Sequence, residues 1–182
     1  MYTHTMVLYT GKGDGGKSGL FTGERLAKDE SIFEALGTVD ELNTFVGWCK
    51  VACGIDWLIN ERRTSDILLD VQNHLFTIQA ELVGAEKGIP EESIKDMEFL
   101  IETIEGKLPK IVSFLIPGGN ELSSRLDITR AVSRRAERRL ISDGSVSKNT
   151  LTYANRLSSL LYALVRFVNH NGNVEEKPPE YI

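Results

Sequence analysis

The chain has 182 residues, 41% hydrophobic and 26% charged, as expected of one soluble globular domain with a substantial core. Its net charge of −5 argues against general nucleic-acid binding, and no apolar run approaches membrane-spanning length. The N-terminus lacks a basic-then-apolar signal pattern, so the cytoplasm is the expected compartment.

In chain order, residues 6–10 read as a short extended run. Gly11-Lys-Gly-Asp-Gly-Gly-Lys-Ser18 then satisfies the P-loop pattern letter for letter. A P-loop needs a helix to begin at its Lys-Ser, so that helix N–H groups and dipole meet the phosphates. Here Gly19-Leu-Phe-Thr-Gly23 follows, and two glycines in five residues oppose helix initiation. The loop suits phosphate, yet it is not built as a P-loop.

Apolar residues then recur at helical spacing over 32–51, where Ile32, Leu36, Val39, Leu42, Val46 and Cys49 line up. Further helices are predicted over 65–84, 91–108 (ending before Pro109), 121–142 and 148–169. No strand–helix alternation appears, and no apolar strand ends in a magnesium-holding Asp. The predicted fold is all-α: a five-helix bundle with an extended Gly-rich N-terminal segment. Residues 1–182 form one domain, comprising an N-terminal segment (1–30), the bundle (31–170) and a tail (171–182). The tail carries Pro178 and Pro179 and is expected to be mobile.

Cys49 and Cys53, at i and i+4, read as buried thiols, and His4, His74 and His170 form no metal-ligand cluster. Six arginines fall between Arg125 and Arg139, a locally basic stretch in an acidic chain that suggests one compact anionic ligand. On a helix Arg130, Arg134, Glu137 and Arg138 share one stripe, with Ile128, Val132, Ala136 and Leu140 opposite. The bland reading is a solvated face. The functional one is phosphate recognition by planar guanidinium forks, with Glu137 orienting an arginine or holding a metal ion.

Gly37, Asp40, Thr44 and Gly47 form a small-residue stripe with one carboxylate. Asp40 is either exposed or paired with a cation in a helix seam, Arg130 being the natural candidate. Asn155, near the start of the last helix, would be bound if buried, to a ligand or to a neighbouring helix. Phe114, just before Pro117-Gly118-Gly119, is either part of a tight connector or the wall of a ligand pocket.

Together these segments resemble one family, the PduO-type ATP:cob(I)alamin adenosyltransferases. The resemblance rests on Thr10-Gly-x-Gly-Asp-x-Gly-x-Ser18, on the stretches 21–29, 33–43 and 153–158, on Phe114-Leu-Ile-Pro-Gly-Gly119 and on Thr129-Arg-Ala-Val-Ser-Arg-Arg-Ala-Glu-Arg-Arg139. It implies a ferritin-like bundle that assembles as a homotrimer with active sites between subunits. It also implies transfer of the 5′-deoxyadenosyl group of ATP to cob(I)alamin, giving adenosylcobalamin and triphosphate with magnesium assisting.

By that resemblance Thr10, Gly11, Lys12, Gly13, Ser18, Gly19 and Lys28 would wrap the ATP phosphates from one subunit. Arg134, Arg135, Glu137, Arg138 and Asn155 would hold ATP from the neighbour, with Glu137 also a candidate magnesium contact. Asp40 and Arg130 would form a salt bridge shaping the corrinoid site, and Phe114 would lie beneath the corrin ring and exclude the lower axial ligand. A cobalamin reductase and an adenosylcobalamin-dependent acceptor enzyme are the implied protein partners. The chain departs from the family pattern in two places. Leu126-Asp127 stands where Leu-His is usual, and Ser159 stands where an aspartate is usual. Both bear on corrinoid affinity or rate. The rival readings are a non-catalytic carrier and a true P-loop ATPase, the latter requiring Lys17.

Overall fold

The computed structural model describes residues 8–54 and 57–181. Five helices carry the fold: α1 (Ser31–Val51), α2 (Thr64–Leu82), α3 (Glu91–Glu105), α4 (Glu121–Asp143) and α5 (Lys148–Asn171). Two small antiparallel hairpins accompany them. β1 (Lys17–Gly19) pairs with β2 (Arg25–Ala27), and β3 (Leu58–Ile59) with β4 (Arg62–Arg63). In packing order the helices run α2, α1, α4, α5, α3.

α5 is the central element. Leu157, Leu160, Leu161, Leu164 and Val168 are buried, with residues between them buried as well, so this helix is covered on several sides. Each such leucine contributes about 1.5–3 kcal/mol on leaving water. α3, at the edge, buries only a stripe: Ile94, Met97, Leu100 and Ile104. α4 starts where Asn120 and Ser123 cap each other reciprocally, the Ser123 N–H donating to Asn120 Oδ1 at 3.0 Å and the Asn120 N–H to Ser123 Oγ at 2.9 Å. It stops at Gly144, whose φ of 76° ends the helix in the left-handed conformation.

The five helices match the sequence expectation, with ends shifted by up to three residues. The predicted extended run over 6–10 lies partly outside the described residues, and Leu8–Thr10 forms no strand. Extended structure appears later instead, in β1 and β2, where the glycines let the chain reverse. Ile128 was expected beside Val132, Ala136 and Leu140, but it is exposed, because the core-facing sector of α4 is centred on Leu122, Leu126 and Ser133.

The tail makes specific polar contacts. Arg166 lies buried on α5 and needs a counter-ion there, which Glu176 supplies at 3.0 Å. Asn169 Nδ2 also donates to Glu176, and the Ile116 N–H donates to the Lys177 carbonyl at 2.9 Å. The tail is thereby linked to α5 and to the connector between α3 and α4. None of the described helices is long and apolar enough to cross a membrane.

Candidate functional site

The glycine-rich loop folds on itself. The Asp14 N–H donates to the Gly11 carbonyl and the Gly16 N–H to the Gly13 carbonyl, both at 3.2 Å. Arg25 clamps the loop by donating to the Lys12 and Lys17 carbonyls. The Lys12 N–H reaches Thr10 Oγ1, while those of Gly11, Gly13 and Gly15 bond no described residue. Lys28 folds over the loop, and a Cβ added at Gly13 would stand 3.1 Å from its Nζ. The result is an exposed loop with unbonded amide N–H groups and an ammonium beside it, a chemistry suited to an anion. Lys17 and Ser18 lie in β1, and Gly19 ends it. No helix starts there, so the P-loop geometry is missing.

α4 presents two flanks with different arginines. Toward α1, Arg125 donates to the Trp48 carbonyl at 2.8 Å and pairs with Glu121, Arg135 pairs with Glu41, and Arg139 stands 3.5 Å from Glu34. Toward α5, Arg134 is exposed and its guanidinium has no partner among the described residues. Arg138 donates only to the Arg134 carbonyl, at 3.0 Å. Glu137 accepts from Asn155 Nδ2 at 2.7 Å, and Asn155 Oδ1 accepts from Arg156, which is held by Glu98. Asn155 is exposed rather than buried. Its amide is oriented by a short polar chain across α4, α5 and α3.

Between the α5 flank of α4 and the α3–α4 connector lies an open cavity of about 810 Å³. Phe114, Val112, Arg130, Arg134, Ser159 and Tyr162 line it, with Pro178, Pro179 and Tyr181 of the tail. Phe114 is 79% exposed, a costly position for an aromatic side chain unless something covers it. Arg130 lies over the Tyr162 ring at 5.6 Å from its centroid and 3.4 Å from Asp127. Burial raises the Tyr162 hydroxyl above its ordinary pKa, with Arg166 and Arg130 opposing and Glu176 and Asp127 adding to the rise. The connector is shaped by Gly119, whose φ is 143°, and a Cβ there would stand 2.3 Å from Asn169 Oδ1.

Asp40 is elsewhere. It is exposed on α1, accepts from Gln79 at 3.4 Å, and lines an open groove of about 580 Å³ with Phe33, Leu36 and Phe76. In this chain it makes no ion pair with Arg130, which pairs with Asp127 instead. Of the small-residue stripe, Gly47 lets a neighbour close in, with Gln72 Nε2 3.0 Å from where a Cβ would be; Gly37 faces open space.

The structure thus brings Arg134, Glu137, Arg138 and Asn155 to one face, beside Arg130 and Phe114. It keeps Arg135 on the α1 side. It joins neither the glycine-rich loop nor Asp40 to that face by any contact among the described residues. Ser158 and Tyr162 were not singled out in the sequence; Asp127 was, as a departure from the family pattern. Tyr162 lies one helical turn beyond Ser158 on the same face of α5, a spacing that only the docking of α5 against α4 made meaningful.

A family model described as cobalamin adenosyltransferase matches residues 8–168. The chain belongs to the cobalamin adenosyltransferase family. It is 38% identical over 178 residues to the corrinoid adenosyltransferase PduO of Citrobacter freundii, covering 92% of this chain and 51% of that protein. The corrinoid adenosyltransferase of Bacillus subtilis is 34% identical, with 93% and 90% covered, and human MMAB 33% identical, with 93% and 72% covered. The chain spans about half the length of the Citrobacter and Salmonella PduO relatives it matches. Among solved structures, a variant PduO-type ATP:corrinoid adenosyltransferase from Lactobacillus reuteri, complexed with cobalamin and ATP, superposes with a TM-score of 0.86 at 27% identity. The match covers 96% of this chain and all of that one.

Proposed function

We propose that this protein transfers the 5′-deoxyadenosyl group of ATP to the cobalt of cob(I)alamin, releasing triphosphate and forming adenosylcobalamin. One observation carries the reading. An arginine pair without an ion-pair partner among the described residues, Arg134 and Arg138, stands beside a large cavity walled by an exposed phenylalanine. A triphosphate suits the first and a corrin ring the second. Family membership and the similarity to a complex with cobalamin and ATP support both halves.

In the proposed reaction Co(I) attacks C5′ of ATP, a cobalt–carbon bond forms, and the C5′–O bond breaks with its electrons leaving on triphosphate. The nucleophile belongs to the substrate, so no Ser-His or Cys-His set is required. The protein's work is to align C5′ with cobalt and to stabilise charge building on the leaving group. Arg134 and Arg138 take the phosphate oxygens. Asn155, fixed through Arg156 and Glu98, bonds the nucleotide, and Glu137 orients Asn155. Glu137 also fits magnesium, because that ion commonly takes one or two carboxylates and completes its shell with phosphate oxygens and water. Magnesium would supply further neutralisation of the triphosphate. Phe114 packs below the corrin ring and keeps a lower ligand off the cobalt.

The loop formed by Thr10, Gly11, Lys12 and Gly13, with Ser18, Gly19 and Lys28, supplies the remaining phosphate contacts. It shares no face with Arg134 in one chain, so the proposed assembly is a homotrimer with the loop of one protomer meeting α4 of the next. Asp40 and Arg130 lie on separate surfaces and form their proposed salt bridge across the same seam. The cytoplasm remains the proposed compartment, with a cobalamin reductase and an adenosylcobalamin-dependent enzyme as proposed partners.

The test mixes the protein with MgATP and chemically reduced cobalamin and follows the loss of Co(I) absorbance. A light-sensitive alkylcobalamin product is expected. Phosphate release from ATP without corrinoid, and no such product, would overturn the proposal in favour of an ATPase.

A further inference from the structure

Asp127 takes no part in the chemistry above, yet it lies between two parts of the cavity. Its side chain is 9% exposed, near the start of α4. Oδ2 accepts the Gly118 N–H at 2.9 Å, and Oδ1 lies 3.4 Å from Arg130 Nε. Gly118 is pinned on its other side too, since its carbonyl accepts from Asn169 Nδ2 at 3.1 Å. Gly118 closes the connector that bears Phe114, and Arg130 is a wall of the same cavity.

We propose that Asp127 is a positioning residue that sets Phe114 and Arg130 relative to each other, so that the cavity is pre-shaped for the corrin ring. The proposal rests on the corrinoid reading given above. Both partners of Asp127 are donors, and a guanidinium never accepts. Only a side chain with two accepting oxygens serves both at once. An asparagine of the same shape satisfies Gly118 with its oxygen and turns its NH2 group toward Arg130, donor against donor. An alanine leaves the Gly118 N–H and the Arg130 Nε unpaired. Because Asp127 holds Arg130 by Nε, the two Nη groups stay free for a second carboxylate.

The deciding measurements compare wild type, Asp127→Asn and Asp127→Ala. KM for cob(I)alamin and for ATP are determined separately. Cob(II)alamin bound to the ATP-loaded protein is examined by absorption and electron paramagnetic resonance for the fraction lacking a lower ligand. Thermal melts report folding. Asp127→Asn is expected to raise the corrinoid KM about tenfold, as for loss of one charge-assisted hydrogen bond, with the ATP KM within about twofold of wild type. Asp127→Ala is expected to lower the ligand-free cob(II)alamin fraction further. If Asp127→Ala does not fold, the isosteric Asp127→Asn carries the test alone. An unchanged corrinoid KM and cob(II)alamin spectrum in Asp127→Asn overturns the role of Asp127, as does an equal rise in both KM values with a lowered melt. A wild-type protein that forms no alkylcobalamin strikes the proposed function instead, so the two failures are told apart.

Discussion

The two flanks of α4 carry the same residue type and differ in what answers it. On the α1 side Arg125, Arg135 and Arg139 each have a carboxylate, and Arg125 also stacks on Trp48 at 4.4 Å. Those guanidiniums are used in tying α4 to α1. On the α5 side the Arg134 guanidinium has no partner among the described residues, and Arg138 has only the Arg134 carbonyl. Two cations held on one face without an ion pair among the described residues repel each other. Charge left uncompensated in the free protein is charge available to a ligand. The proposed binding face is marked by what its arginines lack.

Substitutions can break this comparison. Arg134→Ala should have the largest effect, lowering kcat/KM for adenosyl transfer about a hundred- to a thousandfold, the usual cost of one donor to a leaving-group charge. Its melting temperature should stay near wild type, because the side chain is exposed and unpaired. A normal rate in that variant would erase the distinction between the flanks.

Gly119→Ala addresses the connector beside the α5 flank. The added methyl meets Asn169 Oδ1 at 2.3 Å, and alanine strains at φ 143°. A loss of about 2–4 kcal/mol in denaturant unfolding is expected.

His74 supplies a control away from both flanks. It bridges Ser93 on α3 and Tyr153 on α5, at 3.1 and 3.0 Å. Burial holds its pKa below the ordinary 6.5, while Asp70 and Asp96 oppose that shift. The unfolded chain therefore binds a proton more readily than the folded one. Stability from neutral His74 is complete above about pH 6.5 and falls as the pH drops below it toward the folded-state value. His74→Gln should flatten the pH dependence of the melt in that window and leave transfer kinetics alone. A steeper acid loss in the variant would contradict the sign.

Arg139→Ala, on the α1 flank, should cost less than about 1 kcal/mol of stability, since a half-exposed ion pair is worth little, and should change the rate by less than threefold. Lys17→Ala should do least, leaving transfer near wild type, because Lys17 lies in β1 rather than at a helix start. Loss of transfer in Lys17→Ala with a normal rate in Arg134→Ala would restore the P-loop reading.

Much of the fold was legible because helix formation is a short-range matter. The spacing of Val39, Leu42 and Val46, or of Ile94, Met97 and Leu100, marks a buried stripe without reference to any partner. The small hairpin around Ser18 was not legible as strand, because its pairing joins residues that only the turn at Gly23 brings together. Asn155 was legible as a bonded amide but not as an exposed one, since exposure depends on where α4 and α5 leave a gap.

The sequence alone determined five helices, a glycine loop unable to start a helix, and an arginine-rich α4, because each depends on residues within a few turns of one another. It also carried the motifs that assign the chain to its family. Only the tertiary structure decided which arginines α1 neutralises, that Arg166 holds the tail through Glu176, and that Asp127 faces both Gly118 and Arg130. Those outcomes turn on how helices dock, and docking buries some charges against partners far away in the chain while leaving others, Arg134 above all, turned toward open space.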